Sequence, residues 1–174
     1  MAERGCYEYE YPRPMVVTDA IVFTVRDEKL EVLLIQRGHE PWKGFWALPG
    51  GFVELDEELE TASARELAEE TSVTGVELIQ FHTFGQVERD PRGRVITVAY
   101  LGVADWRALQ PRHGDDAADV AWVPVDKLPL LACDHNLIIE QALNTLCMLL
   151  QTGKTEWISD TVPISELKRA IEFV

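Results

Sequence analysis

Three glutamates in the first half of the chain have the residue type and the spacing to do chemistry. Glu66, Glu69 and Glu70 stand at positions i, i+3 and i+4, so on a helix their carboxylates share one face. Like charges at i and i+4 destabilise an isolated helix by roughly 0.2–0.5 kcal/mol per pair, and the helix dipole disfavours anions in the last turn. The stretch is therefore either a solvated acidic face or a site that receives a cation.

The turn before this stretch favours the cation site. Pro49, Gly50 and Gly51 precede it, and a tight turn leading into a compact carboxylate cluster argues against a merely solvated surface. Carboxylates without a neighbouring cysteine or histidine select a hard ion, Mg²⁺ or Mn²⁺. Because Mg²⁺ normally keeps waters and is completed by substrate phosphate oxygens, the prediction is a metal site that acts on a phosphate compound.

The elements that must position these glutamates follow from the hydrophobic pattern. Apolar and β-branched runs predict strands over residues 16–25, 29–37, 45–48, 76–88, 95–104 and 120–123. Helical spacing predicts helices over residues 57–71, 135–151 and 164–173, the second with Asp134 as its N-cap. This order indicates an α/β fold, in which helices pack on a mixed sheet.

The length of 174 residues suits one domain. We expect an N-terminal arm over residues 1–15, the main domain over residues 16–151, and a C-terminal extension with a short helix over residues 152–174. No internal repeat interrupts this arrangement.

Composition argues against several functional classes. A net charge of −14 disfavours nucleic acid as a partner. No apolar run approaches the roughly 20 residues of a membrane span, and the polar N-terminus has no apolar signal core, so a soluble cytoplasmic protein is expected. Cys6, Cys133 and Cys147 are widely spaced and suggest neither a disulfide framework nor a zinc site.

Arginines supply the local positive charge that an anionic substrate needs. Asp90-Pro91-Arg92-Gly93 has the chemistry of a type I turn and predicts a hairpin with Arg89, Arg92 and Arg94 near its tip. Guanidinium matches phosphate bidentately, so these residues and Arg37 are candidates for substrate binding. The alternative is that hairpin arginines are solvated or paired with nearby acids.

A long motif around the glutamates is similar to that of a known family. The Nudix signature is G-x5-E-x7-R-E-U-x-E-E-x-G-U, where U is aliphatic. Here Gly51 is followed by Glu57, and then by the run from Arg65 to Val73. Every position of the signature matches except one, since Ser72 stands where the family has glycine.

The resemblance implies a Nudix-type α/β/α sandwich and hydrolysis of a nucleoside diphosphate linked to another group. Carried over by position, Glu66, Glu69 and Glu70 are the expected Mg²⁺ ligands, with the Gly50 carbonyl as a further one. Arg65 is expected to orient the carboxylates. Glu57 lies opposite Glu66 on an ideal helix, so we interpret it as bracing the site, with direct ligation as the alternative.

Ser72 is the one departure from the signature. Glycine there would suit a left-handed C-terminal cap. If serine keeps that conformation it costs about 1 kcal/mol, unless Gly75 takes over the turn. We therefore expect altered geometry at the helix end and retained catalysis.

Three further segments, residues 37–51, 84–100 and 114–135, narrow the resemblance. They are similar to the ADP-ribose pyrophosphatase branch tied to NAD metabolism, which includes Nudix domains fused to nicotinamide mononucleotide adenylyltransferase and Nudix-related transcriptional regulators. The implied substrate is ADP-ribose, cleaved to AMP and ribose 5-phosphate. NAD, NADH, diadenosine polyphosphates and nucleoside triphosphates share the same diphosphate and remain alternatives.

An adenine needs an aromatic or apolar slot. The aromatic candidates, each with core packing as its alternative, are Trp42, Phe45, Phe81 and Phe84. We predict Trp42 and Phe84 as substrate contacts, together with Arg37, Arg89 and Arg92.

The general base varies among Nudix enzymes. The candidates in this chain are Glu66, Glu70, Glu88, Asp115 and Asp116, and a solvated loop is the alternative for the last two. No histidine is assigned to the chemistry.

A second hypothesis is a sensor that binds ADP-ribose or a related nucleotide and regulates transcription. The related regulators carry a basic winged helix after the Nudix domain, and residues 152–174 are too few to form one, so direct DNA binding is not expected. Members of this branch are usually homodimers, and an N-terminal arm rich in tyrosine and proline suits such an assembly.

Overall fold

The computed structural model describes residues 8–114 and 117–172. Strands β1 to β7 are, in order, Met15–Arg26, Lys29–Arg37, Trp46–Ala47, Gly50–Phe52, Ile79–Phe84, Val95–Val103 and Ala117–Pro124. Helices α1 to α3 are Leu59–Thr71, His135–Thr152 and Ile164–Ile171, and a single 3-10 turn covers Val125–Lys127.

Strand β1 lies at the centre of one mixed sheet. The strand order is β3-β2-β1-β6-β5, with β4 paired to β1 and β7 paired to β2. Strands β1 and β6 run parallel from Met15↔Val95 to Phe23↔Val103, whereas β1 is antiparallel to both β2 and β4. The β-branched and apolar sequence of β1 explains its burial, since a central strand is covered on both faces.

Alternation along β1 divides the core into two layers. Ile21 and Phe23 belong to the cluster that contains Ile138 of α2 and Leu167 of α3, whereas Val22 belongs to the cluster that contains Leu67 of α1 together with Leu33. Successive side chains of a strand point to opposite faces. The sheet therefore lies between α1 on one side and α2 and α3 on the other, which confirms the α/β/α sandwich.

Several predicted boundaries were wrong, each for a local reason. Helix α1 begins at Leu59, so Glu57 precedes the helix. Strand β5 is only Ile79–Phe84, because residues 85–94 form the loop that the turn chemistry requires. Gly50–Phe52 pairs with β1 as a strand. Strand β7 covers Ala117–Pro124 and is longer than predicted.

The predicted turn at the tip of the β5–β6 hairpin is confirmed. The Gly93 amide donates to the Asp90 carbonyl at 3.3 Å, and the Arg92 amide donates to Asp90 Oδ1 at 2.8 Å. Asp90 is 4% exposed, so this turn is anchored within the protein.

The two ends of the described chain differ in packing. Residues 8–14 are exposed. After α2, the side chains of Trp157, Val162 and Leu167 are buried in the same cluster as Ile138, so this segment completes the core on the face of α2 and α3. Within the described residues, none of the helices combines the length and the apolar character needed to cross a membrane.

Candidate active site

The glycine pair of β4 brings the acidic helix against the sheet. A Cβ added to Gly51 would lie 2.5 Å from the carboxyl atoms of Glu66, and one added to Gly50 would collide with the Thr18 carbonyl and lie 2.6 Å from Asp19 Oδ1. Real Cβ atoms do not approach other atoms so closely. Glycine is therefore required here for close approach, at Gly50 to β1 and at Gly51 to α1.

The Gly50 amide holds the carboxylate of Glu70. Its N–H donates to Glu70 Oε2 at 2.9 Å. Burial raises the pKa of Glu70 to about 8, the Gly50 hydrogen bond opposes that rise, and the nearby charges of Glu66 and Asp19 add to it. The contact seen here is with the Gly50 N–H, so ligation of a metal by the Gly50 carbonyl stays a prediction.

Arg65 connects the other carboxylates. Its guanidinium binds Glu57 at 2.6 Å and 3.0 Å, Glu66 at 2.7 Å and Glu69 at 3.1 Å, and it also donates to the Phe52 carbonyl at 3.2 Å. The hydrogen bond from Arg65 is the main cause that lowers the pKa of Glu57. Glu57 contacts Arg65, in the arrangement that a bracing role requires.

Glu66 and Glu70 are the carboxylates that lie between α1 and the glycine pair. Burial raises the pKa of Glu66, and the Arg65 hydrogen bond opposes that rise. The side chain of Glu69 is 60% exposed and reaches Arg65. The three glutamates thus share a helix but not one environment.

The α1 carboxylates are arranged to supply two ligands to a divalent ion. In residues 8–114 and 117–172, no group of three or more His, Cys, Asp or Glu side chains stands ready to hold a metal. Mg²⁺ is commonly bound by one or two carboxylates and completed by substrate phosphates and water. Glu66 and Glu70, which lie against the glycine pair, fit that mode, whereas Glu69 is 60% exposed and its role as a third ligand stays a prediction.

A cleft opens beside the glycine pair and is lined by Arg37, Trp42, Phe52 and Arg92. Arg37 is half-buried, and its Nε donates to the Pro41 carbonyl at 2.9 Å. No carboxylate among the described residues forms an ion pair with it. A guanidinium that is held by a backbone carbonyl and forms no direct ion pair is well suited to bind phosphate.

Arg92 is held at the rim of the same cleft. Asp90 binds it at 2.7 Å, and its guanidinium lies 5.1 Å from the centre of the Phe52 ring. The side chain remains 36% exposed, so it can still meet a ligand. Phe52 was not predicted, although a large apolar residue directly after the glycine pair was the available signal.

Arg89 has an internal role that the sequence did not indicate. Its side chain is 3% exposed and binds Asp134 in bidentate fashion, at 2.5 Å and 2.8 Å. It also donates to Thr97 Oγ1 at 2.7 Å. Asp134 does precede α2, but its carboxylate binds Arg89 and makes no capping hydrogen bond. Substrate contact by Arg89 stays a prediction.

Of the four aromatic residues predicted as candidates for base stacking, one lines the cleft beside Gly50 and Gly51. Trp42 does so. Phe84 lies in a separate groove between β5 and α2, beside His82 at a ring distance of 4.7 Å. Phe81 packs partly buried against the core, and Phe45 is 36% exposed. The aromatic pair available to a base in the cleft is therefore Trp42 and Phe52.

Of the three general-base candidates outside the glutamate helix, Glu88 is exposed and adopts a positive φ of 67° in the hairpin loop. Asp115 and Asp116 lie outside the described residues. The segment just before them contacts the end of α1, where the Arg112 amide donates to the Thr71 carbonyl at 2.8 Å and the Gly114 amide to the Glu70 carbonyl at 3.1 Å. The loop thus caps the turn that carries Glu70.

Ser72 keeps the left-handed conformation that the family glycine would take. Its φ is 60° and its ψ is 12°, and its amide donates to the Ala68 carbonyl. We expect Ser72→Gly to raise the free energy of unfolding by roughly 0.5–1 kcal/mol. Glycine removes the cost of the left-handed conformation in the folded state, about 1–2 kcal/mol. It also stabilises the unfolded state by increasing its conformational entropy, and this smaller effect offsets part of the gain. Urea denaturation measures the change.

Ser165→Gly is the matched control for that prediction, since Ser165 lies in the regular first turn of α3. Glycine there should lower stability by roughly 0.5–1 kcal/mol. Equal destabilisation by both substitutions would show that the left-handed residue carries no strain.

Residues 15–142 match the model of the NUDIX domain. The chain belongs to the Nudix family. Apart from Ser72, its signature motif agrees with this membership, and so does its sandwich fold.

Two curated relatives carry different functions. The ADPR responsive transcriptional repressor NtrR of Acinetobacter baylyi is 38% identical over 141 residues, which cover 79% of this chain and 56% of the repressor. The ADP-ribose pyrophosphatase of Methanocaldococcus jannaschii is 38% identical over 130 residues, which cover 75% of this chain and 73% of that enzyme. The chain thus spans little more than half the length of the repressor.

The chain is also similar to a solved structure. The NUDIX domain of Shewanella oneidensis NrtR, crystallised with ADP ribose, matches with a TM-score of 0.73 and 37% identity, covering 80% of this chain and 94% of that one. Similarity at this level supports the fold.

Proposed function

We propose that this Nudix domain hydrolyses the diphosphate of ADP-ribose, or of a closely related nucleoside diphosphate derivative, to AMP and a sugar phosphate. The observation that carries the proposal is the meeting of Glu66 and Glu70 with the glycine pair at one end of a cleft that also holds Arg37. Arg37 and the glycine pair line the same cleft, and the glycine pair in turn lies against Glu66 and Glu70.

Each group has a task that follows from its position. Glu66 and Glu70 would hold Mg²⁺ or Mn²⁺, and a bound ion of this kind neutralises diphosphate charge and lowers the pKa of a bound water. Arg65 keeps the Glu66 carboxylate in place. Arg37 forms no direct ion pair with a carboxylate in the described residues and would bind a phosphate oxygen, which fixes the diphosphate relative to the carboxylates.

The rim of the cleft would receive the adenine base of the substrate. Phe52 presents a ring that is 43% exposed, and Arg92 and Trp42 line the same cleft. Stacking of a purine on an aromatic ring contributes roughly 1–3 kcal/mol. This arrangement supports a nucleotide substrate over inorganic diphosphate.

Arg37 gives a direct test of the phosphate contact. We expect Arg37→Gln to raise KM for ADP-ribose about 10–100-fold, because a hydrogen bond to a charged group contributes roughly 1.5–3 kcal/mol. Arg37→Lys should recover part of the loss, since it keeps the charge and loses the bidentate geometry. Steady-state kinetics with Mg²⁺ measures both.

Arg107→Gln is the control for this comparison, since that side chain is 64% exposed and pairs with Asp105. An unchanged KM for Arg37→Gln would remove Arg37 from the substrate site.

The proposal itself is tested by comparing kcat/KM over a substrate panel. The panel consists of ADP-ribose, NAD, NADH, a diadenosine polyphosphate and a nucleoside triphosphate. The proposal expects ADP-ribose to be the preferred substrate. A strong preference for another member of the panel would assign a different substrate to the same diphosphate hydrolysis. A protein that hydrolyses no member of the panel would contradict the proposal.

A second candidate function is an ADP-ribose sensor with little or no hydrolysis. The similarity to the repressor and to the NrtR domain crystallised with ADP ribose favours it. Calorimetric binding of ADP-ribose that persists over hours without release of AMP would support the sensor. The homodimer suggested by the resemblance and the cytoplasmic location stay predictions.

A further inference from the structure

We propose that His135 is a positioning residue for Glu70, acting through the backbone between Leu48 and Gly50. No role in the chemistry was expected of this histidine from the sequence. The inference rests on the proposed function in one respect, because it takes Glu70 as a carboxylate that holds the metal ion.

The first contact lies at the start of α2. Leu48 is 2% exposed, and its amide N–H donates to His135 Nδ1 at 2.8 Å. A buried amide requires a partner, and here a side chain supplies it between the short strands β3 and β4. Since Nδ1 accepts this bond, the ring is neutral and carries its proton on Nε2.

The start of α2 is itself held firmly. Asp134 precedes His135 and forms the bidentate ion pair with Arg89. The Cys133 thiol donates to the Arg89 carbonyl, so the same arginine is tied to this turn through both its side chain and its backbone. The imidazole therefore acts as a fixed acceptor.

The second contact lies two residues further along the chain. Pro49 accepts a hydrogen bond from the Ala20 amide at 2.8 Å, and its ring restricts φ. Gly50 then donates to Glu70 Oε2 at 2.9 Å. A shift of the Leu48 amide is thus passed through one stiff residue to the amide that orients Glu70.

The position of Asp19 shows how little room this segment has to adjust. A Cβ on Gly50 would collide with the Thr18 carbonyl and lie 2.6 Å from Asp19 Oδ1, and the Leu48 amide donates to His135 of α2. The segment is therefore confined between β1 and α2, and the histidine contact sets its position on the α2 side.

The experiment compares variants with and without an acceptor at this position. His135→Phe and His135→Leu remove the acceptor, and His135→Asn keeps an oxygen close to the site of Nδ1. His82→Leu is the control, since His82 is exposed on β5. Mn²⁺ affinity is measured without substrate by electron paramagnetic resonance, and amide exchange of Leu48 and Gly50 is measured by NMR.

We expect the acceptor-free variants to bind Mn²⁺ about 10–100-fold more weakly, the range typical for loss of a residue that orients a metal ligand. Gly50 and Leu48 amides should exchange faster in these variants, while His135→Asn and His82→Leu stay close to wild type. If one acceptor-free variant fails to fold, the other provides the comparison.

Wild-type Mn²⁺ affinity and unchanged Gly50 exchange in a folded acceptor-free variant would overturn the inference. Loss of affinity in His135→Asn equal to that in His135→Leu would also overturn it. If the wild-type protein itself binds no Mn²⁺, the proposed function fails, and Gly50 exchange alone then decides whether His135 positions the backbone.

Discussion

Glu70→Gln is expected to lower kcat for ADP-ribose hydrolysis about 10²–10⁴-fold while the protein remains folded. Glu70 is held by the Gly50 amide, and burial raises its pKa to about 8. Glutamine keeps the shape and an oxygen for the Gly50 hydrogen bond but removes the charge that balances a divalent ion, and metal assistance contributes several kcal/mol to such reactions.

Glu60→Gln is the matched control, because Glu60 is an exposed residue in the first turn of the same helix. It removes the same charge at a distance from the glycine pair and should leave kcat unchanged. Since Glu70 sits in an environment that disfavours its charged form, Glu70→Gln should also be at least as stable as wild type in thermal unfolding. Equal kcat values for wild type and Glu70→Gln would contradict the assignment.

Gly51→Ala is the second substitution with a large expected effect. The added Cβ would lie 2.5 Å from the Glu66 carboxyl group, so the side chain of Glu66 must move, while the backbone can stay. A displacement of about 1 Å in a catalytic group can lower the rate about 10²-fold. We expect a folded protein with strongly reduced kcat, measured alongside its circular dichroism spectrum.

Substitutions at two other glycines serve as controls for Gly51→Ala. Gly85→Ala should be neutral, because its Cβ would have no neighbour closer than 3.8 Å. Gly50→Ala should be unstable, because its Cβ would collide with the backbone of β1. Full activity of Gly51→Ala would mean that Glu66 can move without consequence, and that the geometry at this glycine pair does not matter for the reaction.

The sequence predicted the acidic helix and its glutamates because their information is local. The i, i+3, i+4 spacing determines the shared face, and the signature places Gly51, Glu57 and Arg65 relative to it. The contacts among these residues follow from short separations along the chain. The apolar and β-branched run over residues 16–25 likewise predicted a strand at nearly the observed bounds of β1.

The parts that the sequence could not reveal depend on contacts between distant segments. Arg89 is 45 positions from Asp134 along the chain and yet forms an ion pair with it. His135 accepts from Leu48 across 87 positions. Phe84 lies at the end of β5, and it lines the groove between β5 and α2, which is separate from the cleft beside the glycine pair. Local propensity does not say which face of the sheet becomes the cleft.

The most direct test of the account is ³¹P NMR of ADP-ribose incubated with the wild-type protein, with and without Mg²⁺. The account predicts that the diphosphate resonances are replaced by two phosphomonoester resonances, those of AMP and ribose 5-phosphate, and only when Mg²⁺ is present. Diphosphate resonances that persist under conditions where ADP-ribose is bound would contradict hydrolysis and leave the sensor as the function.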